Sequence, residues 1–244
     1  MSIFKNFTTE GMEEARDTLG GFQVLESGIY TGVVKHFYAG ESRGGAMSLT
    51  LIVDLGGREY RETLWITNKN KENFFINKKS GKKSPLPGFT VANDICLITT
   101  GKELHEITPQ EKVATIYDFD AKAEVNKNVP TIVEAIGQKI SLGILKELHN
   151  KREEVNGEWV DTAETREENV IDKVFHPDLH LTVVEARQGK TKLEEATFWG
   201  AWEKRNKGQV RDRRTIKDGQ GSSTPPSGGN GGGTVTKTKS LFGS

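Results

Sequence analysis

From Ser27 the chain alternates between apolar and polar positions. In SGIYTGVVKHFYAG, Ile29, Gly32 and Val34, with Tyr30 and Val33 as alternates, suit a twisted strand. AMSLTLIVDLGGREYRETLWIT then reads as two strands around Gly56-Gly57, a strong hairpin signal. Leu49, Leu51, Val53 and Leu55 share one face, and Tyr60, Glu62, Leu64 and Ile66 give the returning strand a mixed face. The pattern therefore predicts three consecutive antiparallel strands. Residues 68–87 are basic and punctuated by Gly and Pro, with a helical turn expected at Phe74, Phe75 and Ile76 and then a loop. Val91, Ile95, Leu97 and Ile98 carry helical spacing that stops near Gly101, which predicts a helix over 89–104.

Two more strands are expected at 113–119 and 121–129, followed by a short helical turn. Ile140, Leu142 and Ile144 alternate into a strand or helix boundary. An acidic excursion surrounds Trp159. VIDKVFHPDLHLTVVEARQG reads as two late strands and ATFWGAWEKRNKG as a short helix or loop. Antiparallel strands, one helix after the third strand and long decorated loops suit a mainly β chain with short helices. The matching architecture is a Greek-key β-barrel of the OB-fold type. A β-sandwich would space its strands more evenly and use less helix.

Composition divides the chain further. A polar segment over 1–26 precedes a core expected at 27–207. A basic segment follows at 208–218, and a Gly/Ser/Thr-rich tail runs over 219–244. The tail cannot bury enough apolar surface to offset chain entropy, so it is expected to be flexible. It ends in SLFGS, and Leu241 and Phe242 are its only large apolar side chains, a candidate partner-binding anchor on a tether. One cysteine excludes a disulfide framework within the chain, and no apolar run reaches the roughly 20 residues of a bilayer span. The expected location is therefore soluble and intracellular, with no membrane partner.

The formal charge is zero, with 34 Lys+Arg against 34 Asp+Glu, but it is unevenly distributed. Residues 69–83 hold six bases and one acid, and 203–217 hold seven bases and two acids, while 147–173 hold nine acids and four bases. Separated blocks create local fields that the sum conceals.

Catalytic signatures are missing. There is no phosphate-cradling GxxxxGK[ST] loop, no GxGxxG after a strand, no GxSxG elbow and no HExxH pair. His176 and His180 are separated by Pro177, which opposes a helical ligand pair, and Cys96 fits a buried small hydrophobe. No cofactor or metal is called for. The enzymatic alternative is a divalent-metal nuclease built on Asp118, Asp120 and Glu124. A further alternative is a replisome or virion interaction protein.

Flat rings beside Lys and Arg remain, the pairing that single-strand binding uses. Candidate contacts are Lys35 and Phe37 on the first strand, and Arg43 in the glycine-rich GESRGG turn. Arg58, Tyr60, Arg61 and Trp65 follow on the third strand, with Lys69, Lys71, Lys78, Lys79, Lys82 and Lys83 in the first basic block. Trp199, Trp202, Lys204, Arg205 and Lys207 form a C-terminal group. Phe22, Phe89, Phe119 and Phe175 are assigned to the core.

KKSGKKSPLPGFTVANDICLITTGKEL, then YDFDAKAEV and FWGAWEKRNKG, resemble the single-stranded-DNA-binding proteins of tailed bacteriophages over about 27–207. The resemblance implies an OB-fold core, a flexible C-terminal tail and a non-catalytic role coating DNA during phage replication and recombination. It also implies a groove lined by Tyr60, Trp65 and the 69–83 block, a location in the host cytoplasm, and tail contacts with replication proteins such as polymerase or helicase/primase. Many such tails are strongly acidic and end in an aromatic residue. Here Asp218 is the last acid and Phe242 stands two residues before the end.

Overall fold

The computed structural model describes residues 24–118 and 122–216. Residues 1–23, Phe119, Asp120 and the tail with Leu241 and Phe242 lie outside the described residues.

Strand β1 (Gly28–Glu41) turns back into β2 (Met47–Asp54), and β2 turns through Gly56-Gly57 into β3 (Glu59–Trp65). Both turn glycines take positive φ, 77° and 94°, and Asp54 accepts the Gly57 N–H at 2.7 Å. Two consecutive positive φ values match the right-handed twist of the flanking strands and need residues without a Cβ penalty. The meander is as the alternation predicts.

A short hairpin of β4 (Phe74–Ile76) and β5 (Lys83–Pro85) follows, then helix α1 (Pro87–Thr100). The helical turn expected at Phe74–Ile76 is therefore a strand. Three apolar residues are too few to show a period, and their partner lies several residues downstream. The Lys83 ammonium stands 4.0 Å from the centre of the Phe74 ring, and Leu86 N–H donates to Asn73 O at 2.9 Å, closing the hairpin. Helix α1 starts on Pro87, which lacks only an N–H the first turn leaves unpaired, and ends on Gly101 at φ 74°.

Next come β6 (Gln110–Asp118) and β7 (Ala123–Thr131), a regular antiparallel ladder. A short 3-10 turn leads to two long strands, β8 (Lys139–Val155) and β9 (Glu158–Phe175). Helices α2 (Val183–Arg187) and α3 (Phe198–Asn206) and strand β10 (Val210–Asp212) complete the described chain. The second late strand expected after Phe175 is α2 instead. Thr182 and Glu185 form a reciprocal capping box, which outweighs the strand preference of Val183 and Val184. β10 lies in the segment set apart as basic, yet it pairs with β8.

β1 organises the sheet. One edge pairs with β2 from Val33 to Glu41. The other edge pairs with β8 from Gly28 to Val33 and then meets β7 at Tyr38. Between those partners the β1–β2 register shifts at Val34 and His36, a β-bulge. The bulge leaves Lys35 and His36 exposed in succession, with Val34 and Phe37 fully buried on either side. Lys35 and Phe37, expected on one face, are thus separated.

β2 is buried on both faces. Leu49, Leu51 and Val53 join Val34, Phe37 and the α1 residues Ile95 and Cys96 in the main core. On the other side Ile52 joins Tyr38, Ala114 and Val129, because the β6–β7 hairpin lies over the outer face of β1 and β2. Cys96 is buried as expected, and burial pushes its thiol up to about 12. A three-strand meander, one helix and a strand returning beside β1 give a mainly β fold with OB-type barrel order. Among the described residues no helix is long and apolar enough to cross a membrane.

The chain divides into two units. The larger comprises described residues 24–147 and 167–212. The smaller comprises 148–166 and 213–216, parts of β8 and β9 with the non-strand segment that follows β10. In the smaller unit Asn150 donates to Thr162 O and Ile216 O and accepts from the Thr215 and Ile216 N–H groups.

Gly32 tests the closeness of β1 and β2, since a Cβ there would stand 2.4 Å from Asp54 O and 2.6 Å from Val53. Backbone cannot yield as a flexible side chain does. Gly32→Ala should lower stability by about 1–3 kcal/mol or more, read as a lower urea midpoint. An unchanged midpoint would contradict the strand approach described.

Candidate nucleic-acid interface

Strand alternation places Tyr60, Glu62 and Leu64 inward and Arg61, Thr63 and Trp65 outward on β3. Trp65 is half exposed, at 49%. Its backbone is clamped from behind, because Gly88 of α1 approaches so closely that a Cβ would lie 2.4 Å from Trp65 O. The ring is therefore presented by a rigid element rather than by a loop.

Basic side chains are gathered at the same end of the sheet. Ile66 and Thr67 donate their N–H groups to Met47 O, and Thr67 Oγ1 accepts the Met47 N–H, stitching the segment after β3 to the start of β2. Asn68 accepts the N–H groups of Asn70 and Glu72, which folds the next turn, and Lys71 sits in the left-handed region at φ 61°. The turn carries Lys69 and Lys71 to the β1–β2 turn that holds Arg43. Lys71 Nζ lies 3.3 Å from Glu41, and a Cβ on Gly45 would be 3.6 Å from Lys69 O. Arg43, Trp65, Lys69 and Lys71 are all exposed.

The β4–β5 hairpin enters α1 beside the Trp65 backbone. Asn77 accepts the N–H groups of Lys79 and Ser80, and Gly81 takes φ 68°, so the turn is tight. Lys78, Lys79, Lys82 and Lys83 are exposed, as are Phe75 and Ile76. Phe75, a ring that the sequence places between Lys69/Lys71 and Lys78/Lys79, is exposed on β4.

A polar cleft of about 400 Å³ lies between the outer face of β1 and β3 and the β6–β7 hairpin. His36, Tyr38, Glu59, Arg61, Val113, Thr115 and Glu124 line it. Arg61 thus belongs both to the outward row with Trp65 and to this cleft. Nothing in the strand pattern announces that β6–β7 lies over β2, so the cleft is not legible from sequence.

Other candidates lie elsewhere. Lys35 is exposed and pairs with Asp54 at 3.6 Å, and exposed Arg58 sits by the Gly56-Gly57 turn, the far end of β3 from Trp65. Phe37, Tyr60 and Trp202 are buried, at 0%, 5% and 4% exposure, and cannot offer a ring face to a base. Phe37 faces inward after the bulge, and Tyr60 donates to Glu62 inside the main core. Trp202 lies over Gly143, where a Cβ would be 3.1 Å from the indole, and donates Nε1–H to Asp172 at 2.7 Å. Trp199 is half-buried, stacked on His180 at 3.8 Å and meeting Phe175 edge-on at 5.0 Å. Lys204, Arg205 and Lys207 are exposed on α3, with Lys207 paired to Glu203 at 2.8 Å. They form a patch on the β8–β9 side, apart from the Trp65 cluster.

Of the nuclease alternative, Glu124 is an exposed residue of the cleft, Asp118 ends β6 opposite Ala123, and Asp120 is outside the described residues. His176 Nδ1 accepts the Asp178 and Leu179 N–H groups, which shapes the turn before α2.

Two buried carboxylates hold this frame. Burial opposes the charge on Glu185, but Lys190, Thr197, Thr182 and Phe198 donate to it, and together they hold it down at about 2. Glu62 differs. Burial pushes it up to about 7, Glu147 and Glu168 add to the rise, and bonds from the Tyr60 hydroxyl and the Ile171 N–H oppose it. The Ile171 N–H reaches Glu62 at 2.8 Å, tying β9 to β3 through this side chain.

Comparison with protein-family models, with curated proteins and with solved structures returns no match.

Glu62 predicts a pH signature. Its value is raised from 4.5 to about 7, so between those values the folded chain keeps a proton that the unfolded chain has released. Its contribution is full below pH 4.5 and is lost as pH rises through 7. Wild type minus Glu62→Gln should therefore lose about 1–3 kcal/mol across that window, measured by urea midpoints. A difference that grows with pH would contradict a neutral buried Glu62.

Proposed function

We propose that the chain is a non-catalytic, sequence-tolerant single-stranded-DNA-binding protein of the kind that coats DNA in phage replication and recombination. The observation that carries this reading is Trp65, half exposed on a clamped strand in line with Arg61 and beside Arg43, Lys69 and Lys71. A base stacks on any flat ring whatever its identity, while Lys and Arg follow the phosphates, so the pairing binds strands without reading sequence. The Lys78, Lys79, Lys82 and Lys83 hairpin extends the positive field from the base of α1. The neutral total charge is compatible with this, because the acids are concentrated in other segments. The reading places the protein in the host cytoplasm, with Leu241 and Phe242 anchoring replication proteins such as polymerase or helicase/primase.

A salt series of tryptophan-fluorescence titrations with oligo-dT tests it. Quenching should occur and weaken steeply with salt. Trp65→Ala should cost about 1–3 kcal/mol of binding. Lys69→Ala and Lys71→Ala should each reduce the salt slope by about 1. Tyr60→Ala should act on stability first, since that ring is buried. Absence of both quenching and a gel shift at low salt would refute the reading.

A further inference from the structure

We infer that the smaller unit carries its own nucleic-acid contact, in which a base stacks on Trp159 and neighbouring phosphates lie against Lys151, Arg152 and Arg166. The inference rests on the single-strand reading of the larger unit and adds a site to it. In sequence this stretch is the least promising part of the chain, since 147–173 carry nine acids against four bases. Folding regroups them. Lys151, Arg152 and Arg166, three of those four bases, line one hollow of about 380 Å³ together with Trp159.

Trp159 is 60% exposed, more than Trp65 at 49%. It follows the turn at Asn156 and Gly157, whose φ values are 54° and 83°, on a two-stranded ribbon. An indole this open contributes little burial to its own unit, and its flat face remains available. Arg152 donates to Trp159 O at 3.0 Å, which fixes a guanidinium beside the ring. Lys151 and Arg152 each have an acidic partner at the surface. Lys151 meets Glu164 at 2.7 Å and Arg152 meets Asp161 at 3.2 Å, with the bases more than half exposed. Exposed pairs of this kind are weak and exchangeable, so a phosphate can take the place of either carboxylate. The ribbon that carries the ring is braced by the Asn150 bonds to Thr162 and to residues 215–216. Aromatic face plus clustered cations is the chemistry of a single strand, and a second contact raises avidity without enlarging the first.

The experiment uses the full chain and labelled oligo-dT, comparing wild type, Trp159→Ala, Trp159→Phe and Arg152→Ala by fluorescence anisotropy across salt. Trp159→Ala should bind roughly tenfold more weakly, within the range of one lost stack. Trp159→Phe should stay near wild type because a flat ring is kept, and Arg152→Ala should reduce the salt slope by about 1. Urea midpoints should be unchanged in the Trp159 variants, which separates binding from folding. If Trp159→Ala binds as wild type does while Trp65→Ala is weakened, the inference fails and the single-strand reading stands. If wild type binds no oligo-dT at low salt, that reading fails and this site with it. Loss of self-association in sedimentation, with oligonucleotide affinity intact, would overturn the inference by assigning Trp159 to a protein contact.

Discussion

The β-bulge between Val34 and His36 is the constraint on which the rest of the larger unit depends. β1 pairs with β8 up to Val33, where its pairing with β2 begins, and it meets β7 at Tyr38, so the strand exchanges partners around this point. One extra residue accommodates this locally, because a bulge bends the strand and tightens its twist. The consequences reach the functional surface. Beyond the bulge Phe37 faces the main core and Tyr38 faces outward, where the β6–β7 hairpin covers it. Without that change of partner the hairpin would have no anchorage on β1, and the cleft containing His36 and Arg61 would not exist.

Buried carboxylates act as a second kind of organiser, and two of them do so in opposite protonation regimes. Glu185 is surrounded by donors from the N-cap of α2, the following loop and the start of α3, so its charge is the point on which those segments converge. It thereby positions α3 for Trp202 to lie on Gly143. Glu62 has fewer donors and two acidic neighbours, so burial dominates and the neutral form is favoured near neutrality. An apolar residue there would pack, but it would lose the bond that joins β9 to β3. Retaining a costly carboxyl in the interior is intelligible as a register device between strands distant in sequence.

Much of this architecture was legible because it is local. The meander could be read from alternation, the Gly56-Gly57 turn from the need for positive φ, and α1 from its spacing and its stop at Gly101. One failure occurred where a partner farther along the chain decided the outcome, and another where a local cap did. Phe74–Ile76 needs Lys83–Pro85 before it is a strand. Thr182 and Glu185 cap a helix that two valines would otherwise oppose, and here a readable T-x-x-E signal was passed over. The site divided along the same line. Trp65 and the lysines beside it lie on one hairpin and the turn that follows, so sequence neighbours are also spatial neighbours. Tyr60 and Trp202 share the same residue chemistry, but their burial is set by β9, Asp172 and Gly143, none of which is nearby in sequence.

Charge shows the same lesson more sharply than the rings do. Counting along the chain treats residues 147–173 as a repulsive segment for a polyanion, and as a sum that is correct. Phosphates, however, respond mainly to nearby charges at physiological salt, where charges farther than about 8 Å away are largely screened. On the two-stranded ribbon Lys151, Arg152 and Arg166 line one hollow with Trp159, and the acids paired with Lys151 and Arg152 are surface partners that a phosphate can replace. The same screening leaves the 69–83 block effective although the whole chain is neutral. Local geometry, and not net charge, therefore decides which parts of this chain can meet a phosphate backbone, and it does so wherever an exposed ring and two or more cations share one surface.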